Sequence, residues 1–234
     1  MPRAWKLTLS LLTLAVALAG SSPASAAPAC YGRPATIVGT IGDDLIFGTN
    51  GPDVIVAKGG DDSVYAQGGS DRVCGNAGTD YMSGNEGDDL LDAGSAPSSL
   101  GQDLLWGGSG DDQFVGDGSP AYFSGRGGSG ADIFEAGPNG GSFTAGDGDD
   151  LAVGWTGAVL FQGGSGDDEL NGSTVGDTLQ GGSGDDELNG REGNDYLTGG
   201  SDDDHLAGGD GFDNGNGGSG VNTCTDVEAA SNCS

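Results

Sequence analysis

Apolar residues enter this chain one at a time, at intervals of nine. Between them stand turns of glycine, aspartate, asparagine and serine. GGSGDDELNG at 163–172 recurs unchanged at 181–190, and a weaker copy, GSTVGDTLQ, begins at Gly172 between them. Other copies in register are GTIGDDLIF (39–47), GTNGPDVIV (48–56), GNEGDDLLD (84–92), GGSGDDQFV (107–115) and GREGNDYLT (190–198). Glycine usually fills the first position, often the second, and nearly always the fourth. Aspartate fills the sixth and an apolar residue the eighth. A fixed short period of this kind predicts a solenoid whose coils stack in one dimension. The first five positions read as a tight turn, because glycine reaches positive φ at little cost. The last three read as a short strand with one inward side chain, since strand side chains alternate between faces.

The predicted inward column is Ile46, Ile55, Val64, Val73, Met82, Leu91, Leu105, Phe114, Phe123, Phe134, Phe143, Ala152, Phe161, Leu170, Leu179, Leu188, Leu197 and Leu206. A glycine-rich linker would not hold one apolar residue in phase for so long. Two insertions, Ala93 to Pro97 and Gly125-Arg126, are expected to enlarge turns without changing strand phase.

These nonads resemble the RTX calcium-binding repeat, also called the hemolysin-type calcium-binding repeat. The resemblance implies an all-β fold, a right-handed parallel β-roll with two nonapeptides per coil. It further implies that turns two repeats apart lie side by side and hold Ca²⁺ through sixth-position carboxylates and turn carbonyls. Carried onto this chain, the implied ligands are Asp44, Asp53, Asp62, Asp71, Asp80, Asp89, Asp103, Asp112, Asp132, Asp150, Asp168, Asp177, Asp186, Asp195, Asp204 and Asp213. Hard oxygen donors without neighbouring Cys or His suit Ca²⁺ rather than Zn²⁺.

Sixth-position Asp is missing in GDGSPAYFS (Ala121), AGPNGGSFT (Gly141) and GWTGAVLFQ (Val159). These are alternate nonads, so the losses should share one edge. A calcium ladder continuous along one side and interrupted in the middle of the other is expected. Phe123, Phe143 and Phe161 belong to the deficient nonads, where larger apolar burial would offset missing ions at about 25 cal/mol per Å².

Charge adds a mechanism. With 36 acidic and seven basic residues the net charge is −29, and 51 residues are glycine. Facing carboxylates repel, and glycines lose much backbone entropy on ordering. The metal-free chain should therefore be disordered or partly ordered, so that calcium binding becomes folding free energy. Extracellular calcium modules bind at about 10⁻⁴ to 10⁻³ M.

Arg3 and Lys6, the apolar run Leu7 to Ala19 and the Ala24-Ser25-Ala26 site make residues 1–26 read as a secretory signal peptide. The expected organisation is then an N-terminal cap at 27–38, repeats over 39–225 and a C-terminal cap at 226–234. Four cysteines in an exported chain imply disulfides. Three pairings are possible. Cys30 with Cys74 and Cys224 with Cys233 is the one we favour, stapling both ends of the roll.

Outward aromatics Phe47, Tyr65, Tyr81, Trp106 and Tyr122 form a stripe that could dock a cell-surface glycan or protein. Catalysis is not expected. The single histidine, His205, cannot build a two-histidine HExxH zinc site, no G-x-S-x-G elbow occurs, and the repeats leave no room for a catalytic domain. Seven basic residues give no basis for nucleic-acid binding, and no second apolar run suggests a membrane span. The sequence thus reads as a secreted calcium-folded β-roll acting as an extracellular structural or binding module. The alternatives are an adhesin-like module using the aromatic stripe, and a non-catalytic accessory of an exported hydrolase.

Overall fold

A computed structural model describes residues 27–94, 101–116 and 122–233. The expected signal peptide lies outside them, as do Ser95 to Pro97 of the first insertion and Ala121. Among the described residues there are strands and turns and no helix. The chain forms a parallel β-solenoid with two sheets of eleven strands each, and successive strands alternate between the sheets.

Each strand pairs with the one two nonads later. Leu170 of strand Glu169–Asn171 lies beside Leu188 of Glu187–Gly193, which lies beside Leu206 of His205–Gly211. Tyr196–Ser201 in the facing sheet pairs with Thr178–Ser183 and Asn214–Ser219 in the same way. Two nonads therefore make one coil, and the eighth-position residues of both sheets meet in a single core. Every residue of the predicted inward column belongs to that core. A buried Leu contributes about 1.5–3 kcal/mol relative to exposure. One such residue per nonad gives the turns little apolar support of their own.

The second insertion is placed differently from expectation. Strand Tyr122–Ser129 pairs with Gln102–Ser109 so that Phe123 lies beside Asp103, and Gly125 beside Leu105. Phe123 therefore stands at the sixth-position level, where Ala121 was expected, and Gly125 at the eighth. Gly125 and Arg126 are strand residues, and the two extra residues precede the strand. The reason is packing. A side chain at Gly125 would meet the Phe134 ring at 2.8 Å and Phe143 at 3.1 Å. Phe123 is buried and stacks on Phe134 at 4.6 Å, and Phe134 stacks on Phe143 at 4.7 Å. Three aromatic rings fill the space that a slimmer residue at each level would occupy.

Both ends are tied. The Cys30–Cys74 disulfide joins the short antiparallel pair Ala29–Cys30 and Arg33–Pro34 to strand Arg72–Ala77. Cys224–Cys233 closes the other end, where Ala229–Ser231 pairs with Asn214–Ser219. No free cysteine remains among the described residues.

Candidate metal centre

The turn at 107–115 shows how the repeat builds an oxygen-lined niche. Gly108 and Gly110 take φ of +124° and +117°, a region that favours glycine. A Cβ on Gly108 would lie 2.1 Å from the Asn85 carbonyl oxygen of the preceding coil, so the backbones stack in direct contact. The turn delivers Asp112 inward, with 1% exposure. The Asp89 N–H donates to Asp112 Oδ1 at 2.9 Å, and the Asp112 N–H donates to Asp132 Oδ1 at 2.8 Å. Asp112 Oδ2 is buried and accepts no hydrogen bond.

This relay repeats along both edges. On one edge it runs unbroken from Asp53 through Asp71, Asp89, Asp112, Asp132, Asp150, Asp168 and Asp186 to Asp204. It ends where Asp204 donates to Asn222 Oδ1. On the other edge it links Asp44, Asp62, Asp80 and Asp103, and resumes from Val159 through Asp177 and Asp195 to Asp213. Asp213 then donates to Glu228 Oε2. Phe123, Gly141 and Val159 occupy the gap, stacked beside one another. The carboxylate losses thus share one edge, with Phe123 in the role expected of Ala121. Asn222 and Glu228 as terminators were missed in the sequence, because neither keeps the sixth-position aspartate.

Thirteen of the sixteen candidate aspartates bury an Oδ2 without a partner. An ionised carboxylate oxygen held away from water costs far more than a bonded one. Burial, and then neighbouring carboxylates, raise the Asp112 carboxyl to about 8, and Asp80, Asp89, Asp150, Asp168 and Asp186 to about 7. A second, exposed row of fifth-position acids adds to that field. The Asp167 N–H, for example, donates to Asp149 Oδ1, and the Asp185 N–H to Asp167 Oδ1.

The niche suits a hard cation. A Cβ on Gly163 would meet Asp168 Oδ2 at 2.0 Å and the Gly181 carbonyl of the next coil at 2.7 Å. Oxygens from two coils therefore converge on one point. No group of three or more His, Cys, Asp or Glu side chains gathers as a metal cluster among the described residues. An ion here would be held by one carboxylate per turn together with main-chain carbonyls, which is oxygen chemistry of the calcium type.

Asp44, Asp53 and Asp177 are the exceptions, because their Oδ2 atoms are already bonded. Thr40 and Thr49 each donate both N–H and Oγ1 to the Oδ2 of Asp44 and Asp53, at 2.6–3.0 Å. The Ser173 N–H donates to Asp177 Oδ2 at 2.5 Å. Burial would raise the Asp53 carboxyl, but hydrogen bonds from Thr49 and Thr36 outweigh it and hold it below the ordinary value.

The aromatic stripe lies on one sheet face. Phe47 stacks on Tyr65 at 5.4 Å, Tyr65 packs on Tyr81 at 5.5 Å, and Arg126 lies over Trp106 at 5.6 Å. Tyr122, displaced with its strand, pairs with Gln102. Phe47, Tyr65 and Tyr81 pack as cross-strand neighbours do, while Phe47, Trp106 and Tyr122 remain exposed. His205 is exposed and hydrogen-bonds Thr223 Oγ1 at 2.7 Å.

The family model of the RTX calcium-binding nonapeptide repeat matches residues 38–73, 47–82, 68–96, 99–119, 144–179, 173–206, 180–215 and 190–224. Comparison with curated proteins gives no match.

Proposed function

From the premise that the chain belongs to the RTX calcium-binding nonapeptide repeat family, we propose that it is a secreted protein that folds on binding several calcium ions and serves as an extracellular structural or binding module. The observation that carries this reading is the set of thirteen buried Oδ2 atoms without a hydrogen-bond partner. When ionised, these carboxylates are thirteen of the 36 acidic side chains that give the chain its net charge of −29. Asp71, Asp89, Asp112, Asp132, Asp150, Asp168, Asp186 and Asp204 would hold ions along one edge. Asp62, Asp80, Asp103, Asp195 and Asp213 would do so along the other.

A bound divalent cation would supply the counter-charge that these turns lack. The residues supply the rest. Gly108 and Gly110 permit the turn, the Asp-to-Asp relay orients each carboxylate, and the eighth-position residue anchors the strand. Binding and folding are then linked, so saturating calcium adds stability by mass action. Calcium concentrations outside cells match what such modules need, about 10⁻⁴ to 10⁻³ M. Export through the leader at 1–26 would carry the chain to that compartment, where two disulfides can form. The role is non-catalytic.

The test is far-UV circular dichroism during a calcium titration from chelator to about 10 mM, with magnesium as control. A cooperative gain of β signal with calcium and not with magnesium is expected. A full β spectrum in chelator would contradict coupled folding.

A further inference from the structure

We infer that three junctions of the roll take no calcium, because the protein supplies its own hydrogen-bond donors there. They are the junctions between the turns of 39–47 and 57–65, between those of 48–56 and 66–74, and around 172–180. The inference rests on the calcium reading above and departs from it at Asp44, Asp53 and Asp177.

The first observation is the carboxylate. In the other thirteen turns Oδ2 is left without a partner. In these three it is taken by the second-position residue, Thr40, Thr49 or Ser173. The same hydroxyl accepts the fourth-position N–H, at 3.2 Å in all three. The turn is thereby closed from within.

The backbone is the second, and it is independent of the side chains. In the 107–115 turn the second and fourth positions both have positive φ. Thr40, Thr49 and Ser173 do not, and neither do Gly42, Gly51 and Val175 at the fourth position. A β-branched valine is tolerated at 175 for that reason. These are turns of a different conformation, even though they carry the same aspartate.

The third comes from the next coil. Its second-position residue is a long donor in each case: Lys58, Gln67 and Arg191. Lys58 Nζ donates to the Gly39 carbonyl at 2.7 Å, and Gln67 Nε2 donates to the Gly48 carbonyl. Arg191 reaches past the 172–180 turn to the Gly154 carbonyl at 3.0 Å. In the 39–47 and 48–56 turns, Thr at position two and Lys or Gln one coil later therefore satisfy both the carboxylate and the first-position carbonyl of the same turn, whereas at 172–180 Ser173 satisfies the carboxylate alone.

Anomalous diffraction from crystals grown in calcium tests this on the unaltered protein. Ion peaks are expected beside Asp71, Asp89 and Asp112, and none beside Asp44, Asp53 or Asp177. Peaks at those three would overturn the inference and leave the calcium reading standing. Peaks nowhere would overturn the calcium reading instead. A gain-of-site variant tests the cause. Thr49→Gly with Gln67→Gly restores the open turn beside Asp53, and calorimetry should record one additional calcium per chain at saturation. A folded variant with unchanged stoichiometry would overturn the inference.

Discussion

The N–H of Asp89 donates to Oδ1 of Asp112 at 2.9 Å, across 23 residues where the regular spacing is 18. The parallel bond from Asp80 to Asp103 also spans 23. Five extra residues are thus accommodated outside the ladder, and the relay closes as though they were absent. Register in this roll is set by two interlocking rows, the carboxylate relay and the apolar column, and turns adapt to them. Loop-closure cost grows only slowly with length, so such an insertion is inexpensive.

Asp112→Asn tests the carboxylate as a calcium ligand. Asparagine keeps an oxygen for the Asp89 N–H and loses the charge on the unpartnered atom. Loss of one charge-assisted interaction costs about 1.5–3 kcal/mol, which is roughly a ten- to hundredfold weakening at that site. Calorimetry should show one ion fewer or a much weaker one, with a higher calcium midpoint by circular dichroism. Equal calcium binding in variant and parent would remove Asp112 from the ligand set.

The aromatic plug is expected to replace ionic support where the second edge has no carboxylates. Phe134 stacks with Phe123 and Phe143 and meets Phe161 edge-on at 5.6 Å. Phe134→Ala should destabilise the calcium-loaded protein by about 3–5 kcal/mol, read as a lower thermal midpoint in saturating calcium. Gly125→Leu would force a side chain against Phe134 and Phe143 and should also lower it, by about 1–3 kcal/mol. Were the strand in the register that places Phe123 at the eighth level, position 125 would be turn and the leucine would be tolerated.

Most of this fold is legible in the sequence because the repeat is nearly invariant. Period nine, the sixth-position aspartate and the eighth-position apolar residue together specify coils, strands and the buried column. Two features are not legible from the period alone. Phe123 and Gly125 have the same parity, so both can point inward, and only the Phe134 and Phe143 rings decide which level each takes. Asp44, Asp53 and Asp177 match the motif as well as any other copy, and their difference lies in the hydroxyl residue four positions earlier. The signal existed in Thr40, Thr49 and Ser173 at position two, but a single nonad does not reveal that Lys58, Gln67 or Arg191 will stand above it.

Acid should fold the metal-free protein further. The buried carboxyls have folded-state values raised to about 6 for Asp71, Asp132 and Asp195, about 7 for Asp80, Asp89, Asp150, Asp168 and Asp186, and about 8 for Asp112. The ordinary value is 3.8. A raised folded value means that the roll binds protons more tightly than the unfolded chain. That stabilisation is complete below 3.8 and is lost as pH rises through 6 to 8. In chelator, β content should therefore be greater at about pH 4.5 than at about pH 8. With calcium the trend reverses, since binding displaces protons, and affinity should fall between about pH 8 and pH 6. Equal β content at both pH values in chelator would contradict the burial of these groups.

The two disulfides should differ in weight. Cys30–Cys74 spans 44 residues and Cys224–Cys233 spans nine. By loop entropy the longer bridge contributes roughly 4 kcal/mol and the shorter roughly 3 kcal/mol. Position sharpens the difference. Cys30 and Cys74 are buried, and with Val56 they form a small apolar cluster under the N-terminal segment. Cys233, by contrast, follows the three-residue strand Ala229–Ser231, all of whose residues are exposed. Ser substitution at Cys30 and Cys74 removes the tether and also places two hydroxyls in that cluster, whereas substitution at Cys224 and Cys233 frees a short terminal segment. Thermal unfolding in saturating calcium should show the larger loss for the first pair, by several degrees. A larger loss from the second pair would mean that closure of the C-terminal end governs the stability of the whole stack.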